Sequence, residues 1–396
     1  MGGGDFTVTV SRKEVVATVL PVQEYWLPLS NLDLLLPPVD VGVFFCYKKP
    51  HDLTFGSMIG VLKEALAQAL VSYYPFGGEV LSNSAAYADV QLQNLNLYNP
   101  DESIESKLVP KKKHGVLSVQ VTELKCGGVV VACTFDHRIA DAYSANMFLV
   151  SWAEMAQSKP SSVLPSFRRS LLNARRPGSY DPSLGDMYVP MSALPPPKAP
   201  QSAEQLSLLQ SLATSKSSPC KRTKLESLSA FLWKMVAKSA VTEDANQKIC
   251  RIGTVVDGRK RLSSGDEVKA AMMASYFGNV LSIPFGKKTI NELKEKPLSW
   301  VADAVHEYLE GAVAKKHFLG LIDWVEAHRS EPAITKIYSS GSRDGLTFVV
   351  SSGQRFLASR VVYMRLSVGQ IEWIETQVAH IFRPLSSEYL NLSNSD

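Results

Sequence analysis

Short runs of apolar residues predict β-strands at several places along the chain. They occupy residues 41–47, 129–135, 252–256, 346–350 and 361–366. The run at 129–135 is apolar at nearly every position, so we expect a strand that is buried on both faces. A strand of this kind lies inside a sheet that has other structure packed on each side.

Apolar residues also recur at the spacing of an α-helix in three segments. The first set is Met58, Leu62, Leu66, Ala69, Leu70 and Tyr73, the second is Ala145, Phe148, Leu149, Trp152 and Met155, and the third is Leu225, Leu228, Leu232 and Val236. The first helix should end near Pro75, because proline cannot continue a helix. Asp141 stands where a carboxylate would cap the second helix.

A proline-rich segment at residues 159–201 separates two regions that each contain predicted helices and strands. This distribution predicts an α/β (α+β) protein with two lobes, in which mixed sheets are flanked by helices and a long crossover loop joins the lobes. We place the first lobe at residues 1–185, the linker at 186–205 and the second lobe at 206–396. A cleft between lobes is where a substrate pocket is most expected.

Composition narrows the classes of partner. The chain has 396 residues, is 45% hydrophobic and carries a formal net charge of +4. This near balance predicts no nucleic-acid partner, and the basic stretch at 111–113 is best explained as a solvated loop. No apolar run reaches the roughly 18 residues that span a bilayer, and the first residues do not resemble a signal peptide. We expect a cytoplasmic protein without a membrane partner, and a monomer because no heptad seam is present.

Several kinds of chemistry lose support from missing motifs. Five cysteines at scattered spacing predict no disulfide framework, and no Cys/His cluster has the spacing of metal ligands. On one continuous strand, Cys126 and Cys133 would face opposite ways. The sequence also lacks G-x-G-x-x-G, a phosphate-binding glycine loop and the G-x-S-x-G elbow. Rossmann redox chemistry, nucleotide hydrolysis and serine hydrolysis are therefore disfavoured.

His137 is the main candidate for catalysis. It follows the strand at 129–135, and alternation places it on the same face as Phe135, which points it into the protein. An imidazole with an ordinary pKa of about 6.5 can accept and return a proton near neutral pH. The alternative is that His137 is only a hydrogen-bonded turn residue and Asp141 only a helix cap.

Motifs in a consistent order along the chain resemble those of the plant BAHD acyltransferases, which transfer an acyl group from a coenzyme A thioester to an alcohol or amine. The matching segments are 29–33 (LSNLD), 73–78 (YYPFGG), 126–141 (from CGG through His137 to Asp141), 165–172 (PSFRRSLL), 225–233 (LESLSAFLW), 257–261 (DGRKR) and 276–279 (YFGN). The resemblance implies two chloramphenicol-acetyltransferase-like lobes with the active site at their junction. It also implies acyl-CoA as co-substrate, no permanently bound cofactor and no metal.

The resemblance assigns roles to further residues. His137 would be the general base, and Asp141 would point away from the substrate and form an ion pair with Arg259. Tyr276, Phe277, Gly278 and Asn279 could line the substrate channel, with Gly278 permitting a close backbone approach. The alternative for this segment is a turn with aromatic packing, and for Arg259 a solvent-facing loop position. Ser227 lies in a helix that resembles the segment near the coenzyme A tunnel, where Trp233 is better explained as a core residue.

The chain departs from the family pattern at several points. Ala142 replaces the glycine that usually follows the motif aspartate, and no Asp-Phe-Gly-Trp-Gly motif occurs where Arg360 meets Val361. The sequence is also shorter than its relatives near residues 83–86 and 201–204. Loss of a strand would leave backbone N–H and C=O groups of the neighbouring strands unpaired.

Two functional hypotheses follow. The first is transfer of an acetyl or hydroxycinnamoyl group to a phenylpropanoid-type alcohol such as coniferyl alcohol. The preference for this less polar acceptor rests on Gly353, which stands where many shikimate or quinate enzymes have tryptophan. The second is a catalytically silent shortened isoform that binds ligand or the intact enzyme.

Overall fold

The protein is described here by a computed structural model that covers residues 6–21, 23, 26–49, 52–77, 82–95, 104, 107–112, 114–193, 222–240, 247–331, 333–338, 345–351 and 376. The predicted strand at 361–366, most of the predicted linker, Gly353, His380 and the junction of Arg360 with Val361 lie outside these residues. Contacts divide the chain into two compact units. The described residues of the first lie within Met1–Leu171 and Ala271–Asn279, and those of the second within Leu172–Ala270 and Val280–Pro384.

Both units contain strands and helices. The strands are β1 (Val8–Glu14), β2 (Asp40–Tyr47), β3 (Ser82–Ala88), β4 (Leu117–Leu124), β5 (Val129–Asp136), β6 (Tyr188–Pro190), β7 (Ile249–Thr254), β8 (Val256–Asp257), β9 (Leu281–Ser282), β10 (Phe285–Thr289), β11 (Ala333–Thr335) and β12 (Gly345–Val350). The α-helices are α1 (Phe55–Ser72), α2 (Ala142–Ala156), α3 (Lys224–Lys238), α4 (Arg259–Leu262), α5 (Glu267–Ser275), α6 (Ile290–Glu295), α7 (Leu298–Ala312) and α8 (Lys315–Ala327).

The first unit contains a five-stranded mixed sheet with the order β1-β3-β4-β5-β2. Its neighbours are antiparallel except β3 and β4, which are parallel. β3 pairs along its length with β4 on one side and with β1 on the other. At residues 83–86, where a shortening was predicted, β3 pairs residue by residue with β4, while its ladder with β1 shifts register between Val10 and Arg12. The other predicted shortening, at 201–204, lies outside the described residues.

β5 is buried at every position, which confirms the prediction of a strand covered on both faces. One face of the sheet, which includes Val131 and Phe135, packs with α1 and α2 in a large apolar cluster. Val130 points to the other face and joins a second cluster around Ile104 and Leu108. Burial on both sides makes β5 a rigid support for the residue that follows it.

The end of α1 and the start of α2 agree with the sequence-based predictions. The side chain of Thr54 caps α1, which ends at Ser72 before the proline at position 75. The side chain of Asp141 accepts a hydrogen bond from the backbone N–H of Ser144 at 2.9 Å and so caps α2. Ala142 is the first helical residue, a position that alanine occupies readily. The replacement of glycine at this position is therefore compatible with the fold.

The second unit has a three-stranded mixed sheet with the order β10-β7-β12, in which β12 is parallel to β7 and β10 antiparallel. The predicted strand at 252–256 is divided, because the N–H of Val255 donates to the carbonyl oxygen of Val350 and the chain then pairs as β8 with β9. Trp233 of α3 is fully buried and donates from Nε1 to the carbonyl oxygen of Cys250 at 3.3 Å. This confirms its interpretation as a core residue.

The described contacts group the chain differently from the predicted division at residue 185. The Asp323 carboxylate accepts hydrogen bonds from Arg175 and from the backbone of Ser179, so residues before 185 belong to the second unit. Ser166 forms a parallel bridge with Tyr276, which places the segment Ala271–Asn279 in the first unit. The start of the predicted linker forms β6, which pairs with β11. Long-range pairing of this kind leaves no local signal in the sequence.

Cys126 lies in the turn between β4 and β5 and not on a continuous strand with Cys133, because the chain reverses at Gly127, whose φ is +78°. Residues 126–128 therefore form the turn that leads into β5. Within the described ranges, no helix is both long and apolar enough to cross a membrane.

Candidate active site

His137 directly follows β5 and is the first residue of a tight turn at 137–139. Its backbone N–H donates to the carbonyl oxygen of Val39 at 3.0 Å, which continues the pairing of β5 with β2 by one residue. The side chain is half-buried, and its Nδ1 atom is buried without a hydrogen-bond partner among the described residues. The ring is thus held at a strand end with an unsatisfied nitrogen.

The turn is closed by the residues on either side of His137. Asp136 accepts hydrogen bonds from the backbone N–H of Arg138 at 2.9 Å, from its Nε at 3.0 Å and from its Nη2 at 2.6 Å. Burial by itself raises the pKa of Asp136, but the hydrogen bonds and charge of Arg138 outweigh it and the pKa lies below its usual value. Asp136 is therefore ionised at neutral pH and keeps the turn closed.

Asn279 binds the main chain of the same turn. Its Nδ2 donates to the carbonyl oxygen of His137 at 3.0 Å and to that of Arg138 at 3.1 Å. The residue is fully buried. Asn279 therefore contacts the His137 turn, and its place in a substrate channel stays a prediction.

Asp33 is the residue that sequence reasoning missed. Its Oδ1 accepts hydrogen bonds from the backbone N–H of Asn279 at 2.7 Å and from Nδ2 of Asn279 at 2.9 Å. Its Oδ2 accepts from the backbone and the hydroxyl of Ser30, at 2.8 and 2.7 Å. A signal was present, since Asp33 is a single carboxylate inside the apolar run Leu32 to Leu36. A charge in such a position must be paired or hydrogen-bonded.

The backbone at Gly278 lies close to the side chain of Arg169, and its predicted approach to a substrate stays a prediction. Its φ is +144°, and a Cβ atom there would lie 2.7 Å from Nη1 of Arg169. Its backbone exchanges two hydrogen bonds with the hydroxyl of Ser144. The segment 276–279 is therefore bonded to the turn before α2 and to the first turn of α2.

Tyr276 and Phe277 agree with the second alternative, a turn with aromatic packing. Both are fully buried, and the ring centroid of Phe277 lies 5.5 Å from that of Tyr73 and 5.4 Å from that of Phe76. Burial raises the pKa of Tyr276, and its hydroxyl accepts a hydrogen bond from Nη1 of Arg169 at 3.0 Å. These side chains form the support beneath the site.

Arg259 and Ser227 lie in the second unit. Arg259 is 3% exposed, so the alternative of a solvent-facing loop residue is wrong. The Asp257 carboxylate accepts from its backbone N–H at 2.9 Å. The hydroxyl of Ser227 donates to the carbonyl oxygen of Thr223 at 2.9 Å inside α3. The ion pair of Arg259 with Asp141 and the place of Ser227 beside coenzyme A stay predictions.

Three other histidines have hydrogen-bond partners in the structure. Nδ1 of His306 lies 2.6 Å from Oε1 of Glu226, and Nε2 of His317 lies 2.8 Å from the hydroxyl of Ser282. Burial lowers the pKa of His317 to about 4. Nδ1 of His328 is bonded to the carbonyl oxygen of Trp324. The part of the chain that the structure describes contains no group of His, Cys, Asp and Glu side chains able to hold a metal ion.

Comparisons with known proteins agree with the family resemblance. The sequence model of the Transferase family matches residues 6–363. The omega-hydroxypalmitate O-feruloyl transferase of Arabidopsis thaliana is 27% identical over 361 residues, which are 80% of this chain and 76% of that protein. The (Z)-3-hexen-1-ol acetyltransferase of Arabidopsis thaliana is 29% identical over 345 residues, or 77% of this chain and 73% of that protein.

Among solved structures, the crystal structure of F. sporotrichioides TRI101 complexed with coenzyme A and T-2 is similar, with a TM-score of 0.69. The match covers 88% of this chain and 96% of that chain at 13% sequence identity. This likeness shows the fold, a mixed α/β protein of two chloramphenicol-acetyltransferase-like lobes.

Proposed function

Because the chain belongs to the Transferase family of BAHD acyltransferases, we propose that it transfers an acetyl or hydroxycinnamoyl group from acyl-CoA to a phenylpropanoid-type alcohol, with His137 as the general base. The chain is an acyltransferase of a family whose co-substrate is acyl-CoA.

The position of His137 carries the proposal. A general base must be held within hydrogen-bond reach of the proton that it removes. Here the histidine stands at the end of a fully buried strand, its backbone is bonded on both sides, and Nδ1 has no partner in the described ranges. A purely structural histidine would instead be expected to satisfy its buried ring nitrogen.

The reaction needs only one residue to move a proton. As the hydroxyl oxygen of the acceptor attacks the thioester carbonyl carbon, the imidazole of His137 takes the hydroxyl proton and a tetrahedral oxyanion forms. When this intermediate collapses, the carbon–sulfur bond breaks and the imidazolium returns its proton to the departing thiolate. The products are an ester and free coenzyme A. A thioester is already activated, so a covalent enzyme nucleophile is not required.

The similar proteins support an alcohol acceptor. One is named for O-feruloyl transfer to an omega-hydroxy acid and another for acetyl transfer to an aliphatic alcohol. Both names describe ester formation at a hydroxyl group, with a hydroxycinnamoyl-type group in one and an acetyl group in the other. The preference for a less polar acceptor, which is based on Gly353, is part of the same proposal.

The test is release of coenzyme A thiol. The purified chain is incubated with acetyl-CoA or coumaroyl-CoA and a panel of alcohols that includes coniferyl alcohol and shikimate, and free thiol and ester product are measured. We expect turnover that falls by about a hundredfold or more in His137→Ala. His114→Ala is the matched control, because His114 is exposed on the same unit, and it should retain full activity.

Two results would contradict the proposal. Full activity in His137→Ala would remove the general base from the mechanism. A folded wild-type chain that binds coenzyme A without turnover would instead favour the catalytically silent shortened isoform.

A further inference from the structure

We infer that Asp33 and Asn279 form a buried positioning pair that fixes the main chain of His137 from its carbonyl side. The inference deepens the proposed function, on which its kinetic consequence rests. Neither side chain would touch the reacting atoms in this arrangement. Their effect on catalysis would come through the place of the histidine.

The hydrogen bonds of Asn279 determine which way its amide points. Nδ2 faces three acceptors, namely Oδ1 of Asp33 and the carbonyl oxygens of His137 and Arg138, at 2.9, 3.0 and 3.1 Å. Its Oδ1 is buried without a partner among the described residues. Rotation of the amide by 180° would place an oxygen against three oxygens, so only one orientation is compatible with these neighbours.

Asp33 in turn fixes Asn279. Its carboxylate accepts from both the backbone N–H and the side-chain amide of Asn279 through one oxygen. The other oxygen is held by the backbone and hydroxyl of Ser30, with Nη2 of Arg169 3.9 Å away. Asp33 is 0% exposed. A buried carboxylate with this many donors acts only as an acceptor, which makes it a fixed point for the asparagine.

The pair completes the restraint of the turn. On the amino side, the N–H of His137 is bonded to Val39 of β2. On the carboxyl side, the carbonyl oxygens of His137 and Arg138 are bonded to Asn279. With both backbone polar groups of His137 engaged, the remaining freedom of the histidine is rotation about its side-chain bonds. A misplacement of about 1 Å at a catalytic group can cost a hundredfold in rate, so such a restraint has a kinetic value.

The experiment compares Asn279→Ala and Asp33→Asn with Ser151→Ala. Ser151 is a matched control, since it is buried in the same unit and loses hydrogen bonds to Tyr73 and Ser161 but lies outside the pair. Asp33→Asn keeps the shape of the side chain but must place an amide group against either the donors of Ser30 or those of Asn279. It serves as a second variant if Asn279→Ala does not fold.

Two readouts are measured on each variant. Hydrogen exchange of a peptide that contains residues 137–139 reports the restraint itself and does not need activity, because the N–H groups of Arg138 and Ile139 belong to the two peptide groups whose carbonyl oxygens Asn279 binds. Steady-state kinetics report its consequence. For both pair variants we expect exchange of these two amides to accelerate by about tenfold or more. We also expect kcat to fall by about tenfold to a hundredfold while KM for acyl-CoA changes by less than about twofold. Ser151→Ala should change neither readout at the turn.

The two failures are distinguishable. If the wild-type chain has no turnover, the proposed function fails, and hydrogen exchange alone still decides whether the pair restrains the turn. If exchange at Arg138 and Ile139 is the same in Asn279→Ala and Ser151→Ala, the pair does not restrain the turn. If exchange accelerates while kcat is unchanged, the restraint exists but has no positioning role.

A combined Asp33→Asn/Asn279→Asp variant separates the pair from its action on the turn. The contact between the two side chains is restored with donor and acceptor exchanged, but the new carboxylate faces the carbonyl oxygens of His137 and Arg138. We expect kcat to stay low. Recovery of wild-type kcat would mean that the contact between the two side chains is all that matters and would overturn the positioning role.

Discussion

The hydroxyl of Ser144 and the backbone of Gly278 exchange two hydrogen bonds. The hydroxyl donates to the carbonyl oxygen of Gly278 at 2.9 Å and accepts from its N–H at 3.0 Å. Ser144 lies in the first turn of α2, where its own N–H is bonded to Asp141. The segment after α5 is thereby bonded to the helix that follows the His137 turn. This contact makes the start of α2 depend on residues far away in sequence.

Loss of this contact should destabilise the first unit. In Ser144→Ala the N–H and the carbonyl oxygen of Gly278 each lose their hydrogen bond to this fully buried hydroxyl. Removing one partner of a buried hydrogen bond lowers the free energy of unfolding by about 1–3 kcal/mol. We expect the free energy of unfolding to fall by about 2 kcal/mol, measured by urea denaturation.

Ser229→Ala is the control for this substitution. The hydroxyl of Ser229 is fully buried in α3 and has no hydrogen-bond partner in the described part of the chain. Removing an unpaired buried hydroxyl should leave stability unchanged or raise it slightly. Equal losses in the two alanine variants would show that the Ser144 hydroxyl contributes nothing specific.

Glycine is required at position 278. Its φ of +144° is unfavourable for other residues, and an added Cβ would meet Nη1 of Arg169 at 2.7 Å. We expect Gly278→Ala to lower the free energy of unfolding by about 2 kcal/mol or more and to reduce turnover. Gly311→Ala is the matched comparison, because Gly311 lies in α7 with nothing within 4 Å of an added Cβ. Gly311→Ala should raise the free energy of unfolding by about 0.5–1 kcal/mol. A Gly278→Ala protein with the stability and activity of the wild type would contradict the close approach.

His317 should make stability depend on pH. Burial lowers its pKa to about 4 from an ordinary value of 6.5. Between these values the unfolded chain binds a proton that the folded chain does not, so the free energy of unfolding falls as the pH drops from 6.5 towards 4. The loss from this one group is about 3 kcal/mol at most.

Denaturation curves at several pH values check this expectation. His317→Gln should have a shallower loss of stability between pH 6.5 and 4 than the wild type. His114→Gln, at an exposed position, should keep the wild-type slope. The same slope in all three proteins would show that His317 titrates normally.

The ion pair predicted between Asp141 and Arg259 can be tested by a double-mutant cycle. Asp141→Asn keeps a side-chain oxygen for the cap of α2 but removes the charge. If the pair forms, the effects of Asp141→Asn and Arg259→Ala on unfolding should couple by about 1–3 kcal/mol. Arg261→Ala, at an exposed position in α4, supplies the uncoupled reference. Additive effects at Asp141 and Arg259 would contradict the pair.

The sequence by itself determined the elements whose cause is local. An apolar run without alternation specified the doubly buried strand β5, periodic apolar residues specified α1 and α2, and Asp141 was identified as the cap of α2. These features depend on side-chain period and on hydrogen bonds within four residues, which can be read along the chain. The placement of His137 just beyond a rigid strand followed from the same pattern.

Only the tertiary structure decided what surrounds His137. Asp33 and Asn279 are 246 positions apart, and neither carries a local sign that its side chain would be paired with the other. Likewise, 276–279 was equally compatible with a channel wall and a packed turn until the fold placed it beneath the site. Burial makes unpaired polar groups costly, so distant donors and acceptors that the fold brings together must satisfy one another. That condition acts on the folded chain, and the linear sequence does not express it.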